Sequence, residues 1–226
     1  ISLKVQGRKF HTILGPNGCG KTSLLKTIYR QIKPDSGNIF LNGSPLKNMS
    51  LKTTATGMAV LSQFNHLQFD TTVEEIVLLG RIPHLSFLQR EKEEDYDLVR
   101  QSLLQVDMLD KAKRSYSSLS GGEKQRISIA RMILKNAPIL ILDEAMAAVD
   151  SENEKLINEA IEELRKNKTV ITIAHHLNTV QNADKIIVMD KGRILDSGTH
   201  EELISRCTFY KEMVEAQNKV DNWRVG

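Results

Sequence analysis

The stretch GPNGCGKT, Gly15 to Thr22, lies between an apolar run, FHTIL, and a segment with helical spacing, SLLKTIYRQI. A G-x-x-x-x-G-K-[ST] spacing that follows a strand and opens a helix admits few folds. Its glycines let backbone N–H groups turn inward toward phosphate oxygens, and the helix presents the positive end of its dipole. Lys21 then reaches the β- and γ-phosphates of a nucleotide, while Thr22 offers its hydroxyl to Mg²⁺. Gly15, Pro16, Asn17, Gly18, Cys19, Gly20, Lys21, Thr22 and Ser23 are therefore the expected nucleotide contacts.

Such a loop wants a carboxylate for its magnesium, carried at the end of a nearby parallel strand. ILILDE supplies it: Asp143 ends the most apolar strand of the chain, where sheet carboxyl ends meet ligands, and Glu144 follows as a candidate base. Two adjacent carboxylates in that position are costly to desolvate without a cation. The expected metal ligands are thus Thr22 and Asp143.

The rest of the chain reads as an α/β protein with a mainly parallel sheet. HTILG, ILILD (139–143), TVITIA (169–174) and KIIVM (185–189) are apolar without alternation, as parallel strands covered on both faces should be. Helical patterns over 21–32, 120–135 and 151–166 alternate with them. ISLKV, GRKFHTI and GNIFLNG read as short strands with glycine turns, an antiparallel flank. Between Thr72 and Ser118 only helical stretches appear, so a helical subdomain is expected at 72–118, inserted into a core of 1–71 and 119–217, with a polar tail at 218–226. The charge-rich REKEED within the insert reads as a solvated surface.

Composition narrows the partners. The 226 residues are 40% hydrophobic and 26% charged, enough for a main core and a subdomain. Lys and Arg number 31 against 28 Asp and Glu, a formal charge of +3, too small to argue for a polyanion, and no nucleic acid is expected. No apolar run approaches the roughly 20 residues that cross a bilayer, so any membrane connection should come through a partner. Two cysteines, one inside the phosphate loop, fit a reducing compartment. A start at Ile1, in strand-like sequence, suggests a trimmed chain or a domain cut from something longer. His11, His66, His84 and His200 are scattered without ligand spacing.

LSGGEKQR, residues 119–126, points to a second anion site. Ser120 and Glu123 form an S-x-x-E capping box before an amphipathic helix. Gly121 and Gly122 cost that helix about 1 kcal/mol each against alanine, and close approach of an anion to their N–H groups would offset this. If the two anion sites lie far apart in one chain, the second serves the nucleotide of a neighbouring copy in a head-to-tail dimer.

Taken in order, GPNGCGKT, Gln63 in VLSQ, LSGGEKQR, ILILDE and His175 in TIAHH resemble the nucleotide-binding domain of an ABC transporter, over almost the whole chain. The resemblance implies a P-loop NTPase core that binds ATP and Mg²⁺ and hydrolyses ATP in a two-chain sandwich. In it Ser120 and Gly122, with Gly121 between them, meet the partner's γ-phosphate. Gln63 touches Mg²⁺ and the attacking water, Glu144 polarises that water, His175 holds the γ-phosphate, and Asp150 communicates across the dimer. It also implies transmembrane permease partners and a place on the cytoplasmic face of a membrane. Ala145 stands where importers of the family usually have proline, and His176 where exporters usually have arginine. The aromatic residue that stacks on adenine in the family would precede Ile1, so weak base selectivity is expected of residues 1–226.

Two segments point to different relatives. TTVEEIVLLGRIPHL resembles importers of iron–siderophore, haem and cobalamin type, whereas TVITIAHHLNTVQNADKIIVMDKGRILDSGTHEEL resembles exporter domains. Because in the family the membrane subunits dock on the Gln63 loop and on the helical subdomain, to which the first segment belongs, and AKRSYSS lacks the GERG-like stretch of exporters, the expectation is an importer-like ATPase. An exporter domain is the alternative, and a soluble ABC ATPase a further one.

Overall fold

A computed structural model describes residues 1–61, 71–86, 89–143, 151–173 and 181–224, with the backbone alone for 151–154 and 217–224. Along the chain, β1 (Phe10–Leu14) leads into α1 (Lys21–Ile28), then the hairpin of β2 (Phe40–Leu41) and β3 (Ser44–Pro45). Next come α2 (Leu51–Gly57), β4 (Met58–Leu61), α3 (Val73–Leu78), α4 (Glu93–Leu104), α5 (Gly121–Lys135) and β5 (Ile139–Leu142). The described chain closes with α6 (Ser151–Arg165), β6 (Thr169–Ile173), β7 (Lys185–Asp190), β8 (Arg193–Gly198), α7 (His200–Arg206) and α8 (Thr208–Arg224). It divides into two units, one built from Ile1–Asp35, Ile141–Glu144 and Asn167–Gly226, the other from Ser36–Leu140 and Ala145–Lys166.

The first unit carries a mainly parallel sheet with strand order β5-β6-β1-β7-β8. β1 pairs in parallel with β6, Ile13 opposite Ile173, and with β7, Leu14 opposite Val188. Consecutive residues, which point to opposite faces, are buried from His11 to Leu14 and throughout β6, so both faces of the sheet are covered there and the sequence shows no alternation. β8 returns antiparallel to β7 through Lys191 and Gly192, both at positive φ, the backbone that a two-residue hairpin turn needs. Leu14, Ile186 and Val188 form a core with Leu203 of α7 and with Tyr210 and Val214 of α8.

In the second unit the helices that follow Thr72 pack together. Thr72 caps α3, its hydroxyl accepting the Glu75 N–H, and Val73, Ile76, Val77 and Leu78 are buried. Tyr116 N–H donates to Thr71 O at 2.9 Å and Val73 N–H to Arg114 O at 3.0 Å, so the segment before α5 is tied to the start of α3. The Arg126 guanidinium, buried, donates to Val106 O and Asp107 O beyond the end of α4. A short ladder between β2 and β3 is the antiparallel flank.

Two strand expectations are corrected. ISLKV forms no strand: Ile1, Ser2 and Lys4 are exposed, and no described strand offers the segment a ladder. GRKFHTI does not join an antiparallel flank, because from Phe10 onward it is β1 of the parallel sheet.

Candidate functional site

Gly15 to Gly20 span the gap between β1 and α1 within the first unit. Gly15 is obligatory on steric grounds: a Cβ there would lie 2.2 Å from Met189 O and 2.8 Å from Cys19 Sγ. The loop closes on itself and on the β7–β8 turn, since Cys19 N–H donates to Pro16 O at 3.3 Å and Gly192 N–H to Cys19 O at 3.0 Å. Gly20, at φ 102°, begins α1 in the left-handed region, where a side chain would be strained. Ser50, Thr72, Ser120 and Thr199 cap α2, α3, α5 and α7 with side-chain oxygens, whereas α1 has no side-chain cap and no acid in its first turn. Its first N–H groups are donors suited to an anion.

Lys21 is buried, and its ammonium donates to Gly15 O at 2.8 Å and Pro16 O at 3.0 Å. The charge is thereby folded over the loop's own carbonyls. Thr22 Oγ1 lies 3.5 Å from Asp143 Oδ1, so the hydroxyl after the lysine and the carboxylate after β5 lie side by side. Asp143 is buried. Burial, followed by the nearby Asp143 charge, raises the Tyr29 phenol above its ordinary pKa. An oxygen-only pair of hydroxyl and carboxylate beside a phosphate-type loop suits a hard divalent cation such as Mg²⁺. Pro16, Asn17, Gly18 and Ser23 are exposed around this loop.

In the second unit Ser120 begins α5 as expected. Its hydroxyl accepts the Glu123 N–H at 3.3 Å, while Glu123 Oε2 accepts the Ser120 N–H at 2.8 Å. Gly122 is buried; Gly121 is exposed, and a Cβ on it would meet nothing within 4 Å. No contact within the described chain requires glycine at 121. Glu123 has a second partner that its sequence position did not announce: Lys111 Nζ donates to Oε1 at 2.5 Å. That bond first, and the Ser120 N–H next, lower the Glu123 carboxyl to a pKa of about 2. Gln63, Glu144, Asp150 and His175 lie outside the described residues, as do Ala145 and His176. Among the described residues no group of three or more His, Cys, Asp or Glu side chains could hold a metal by itself.

A family model described as ABC transporter matches residues 1–147. The chain belongs to the ABC transporter family. As an ABC domain it binds ATP and is an ATPase. It is 37% identical over 227 residues to the ATP-dependent lipid A-core flippase of Francisella tularensis subsp. tularensis (strain FSC 198), covering 96% of this chain and 36% of the relative. ABC transporter B family member 14 of Arabidopsis thaliana is 36% identical over 220 residues, covering 96% of this chain and 18% of the relative. A solved bacterial Atm1-family ABC exporter with ATP bound superposes with a TM-score of 0.82 at 29% identity, covering 96% of this chain and 38% of that one. The ABC domain thus spans little more than a third of the flippase and of the solved exporter, and less of the plant protein.

These relatives overturn the importer-like expectation. Two of them are a flippase and an exporter, and in both the likeness runs over 96% of the chain, not over its C-terminal half alone. The physical reason is visible in α3. TTVEEIVLLG, taken as a mark of importers, spends its pattern on a capping box and on four buried apolar residues, which any helical subdomain needs.

Proposed function

We propose that the ABC domain is the motor of an exporter-type transporter, in which two such domains, identical or related, close around ATP and drive transmembrane partners from the cytoplasmic face of a membrane. Residues 1–226 would form one nucleotide-binding domain. The observation that carries the direction is the likeness over 96% of the chain to the lipid A-core flippase and to the Atm1-family exporter. In this reading the uncapped start of α1 and Lys21 hold the phosphates, exchanging the Gly15 and Pro16 carbonyls for phosphate oxygens. Thr22 and Asp143, and Gln63 by resemblance, would hold Mg²⁺, which supplies charge neutralisation on the phosphates. Glu144 would take the proton of the attacking water and His175 would hold the γ-phosphate. Ser120, Gly121 and Gly122 would meet the nucleotide of the opposite domain, which accounts for a glycine at 121 that nothing inside the chain demands. Among the described residues no helix is long and apolar enough to cross a membrane.

The test uses sealed inside-out vesicles carrying the full protein, with Mg·ATP added outside and a panel of labelled amphiphiles. ATP-driven uptake into the lumen is expected. ATP-driven loss of preloaded label would reverse the direction and overturn the reading.

A further inference from the structure

Glu123 is the acid in the first turn of α5, at the helix start read above as the second nucleotide contact. A capping box needs its carboxylate for the Ser120 N–H, and at α3 the corresponding Glu75 turns one oxygen to both the Thr72 N–H and hydroxyl. At a helix start that must receive a phosphate the same carboxylate is an obstacle, because its negative charge opposes the anion that the helix dipole attracts. The structure answers that conflict with a residue twelve positions earlier. Lys111 ends a short 3-10 turn, Leu109–Lys111, anchored by the Lys111 N–H on Met108 O and by the Arg114 N–H on Lys111 O. From there its ammonium reaches Glu123 Oε1, the oxygen that the capping box does not use. Both side chains are largely buried, 25% and 18% exposed, so the pair is less screened than a surface ion pair. Lys124, the nearest cation on α5 itself, is directed elsewhere, donating to Ser117 O at 3.3 Å and standing 5.8 Å over the Tyr116 ring.

We propose that Lys111 is a positioning residue for ATP hydrolysis. By pairing with Glu123 it neutralises the carboxylate held at the start of α5, so that the capping box keeps Ser120 in place without repelling the phosphate it is to meet. The inference rests on the reading of Ser120 to Gly122 as a nucleotide contact. It separates two jobs of Glu123: the hydrogen bond to Ser120, which glutamine can also make, and the charge, which only the lysine makes tolerable.

The experiment compares Lys111→Met, Lys111→Arg and the double variant Lys111→Met with Glu123→Gln in the full protein, reading kcat and KM for ATP at low and high ionic strength, with thermal melts for folding. Lys111→Met is expected to raise KM about tenfold, and by more at low salt, where the exposed charge is least screened. Lys111→Arg should stay near the parent, and the double variant should return to within about twofold. A KM unchanged in Lys111→Met, or a defect that persists undiminished in the double variant, would overturn the proposal. Ser120→Arg in the parent separates this from the underlying reading. If that variant keeps its ATPase activity, the second contact itself is wrong. If it loses activity while Lys111→Met matches the parent, only the role of Lys111 falls.

Discussion

At Gly15 a methyl group would stand 2.2 Å from a backbone carbonyl, while at Gly121 it would meet nothing within 4 Å, so the two glycines answer to different demands. The first is set by the chain's own packing. Gly15→Ala must push the phosphate loop away from Met189, and a loss of roughly 1–3 kcal/mol of unfolding free energy in urea is expected, as for overpacked cores. Gly121→Ala should hold stability or raise it by up to about 1 kcal/mol, through better helix propensity, yet lower ATP turnover. Unchanged turnover would mean that nothing approaches this helix start closely. Cys19 closes the same loop through its N–H and carbonyl. At 4% exposure, against a half-buried Cys207, it should alkylate more slowly than Cys207, and bound Mg·ATP should slow it further, measured by peptide mass spectrometry. Equal labelling of Cys19 with and without nucleotide would show that ATP does not cover the loop. The places of Lys21 and Thr22 at the start of α1 and of Asp143 just after β5 were legible in the sequence, because each follows a strand end at a short spacing. Lys111 was not, since its partner lies twelve residues away and only the 3-10 turn and α5 bring them together. The contact of Gly15 with Met189 was hidden for a similar reason: it arises beside a register shift in the β7–β8 ladder that no local pattern announces.

Among elements, the parallel strands and α5 were readable because each carries its own signal, an unbroken apolar run or a capping box. ISLKV misled because alternation makes a strand only when a neighbour supplies the ladder, and the described chain supplies none there. The start of α5 carries a pH dependence that follows from its packing. The Glu123 carboxyl lies at about 2, below its ordinary 4.5, because Lys111 and the Ser120 N–H bind its charged form. A depressed carboxyl contributes stability that is present in full above the unfolded-state value and is lost as pH falls toward the folded one. The difference in unfolding free energy between the parent and Glu123→Gln should therefore be constant from neutral pH to about 5, then change in the direction of a weakened parent as pH falls from about 4.5 toward 2. Urea melts across that range check it. A difference that stays flat through the whole range would mean that the Lys111 pair does not hold Glu123 ionised.

In the proposed pair of ABC domains, ATP is either only held or also cut. A domain that only held the nucleotide would need the loop, Lys21 and the Thr22–Asp143 pair, all of which the first unit brings together. In the proposed mechanism hydrolysis uses in addition a group that draws a proton from water in line with the γ-phosphate. Glu144, the residue after Asp143, is the proposed one, and general-base assistance of this kind is typically worth about 10²–10⁴ in rate. Glutamine keeps the size of glutamate and removes its charge. Glu144→Gln is therefore expected to lower ATP turnover by about that factor while ATP binding persists, since the binding groups lie elsewhere in the loop and in α1. Because hydrolysis would no longer separate the pair, the variant of residues 1–226 should also run as an ATP-dependent dimer on gel filtration, at Mg·ATP concentrations where the parent runs as a monomer. The competing account has positioning by Gln63 and His175 do the work with little base catalysis. Turnover within a factor of two of the parent, with no ATP-dependent dimer, would decide for that account and remove Glu144 from the reaction.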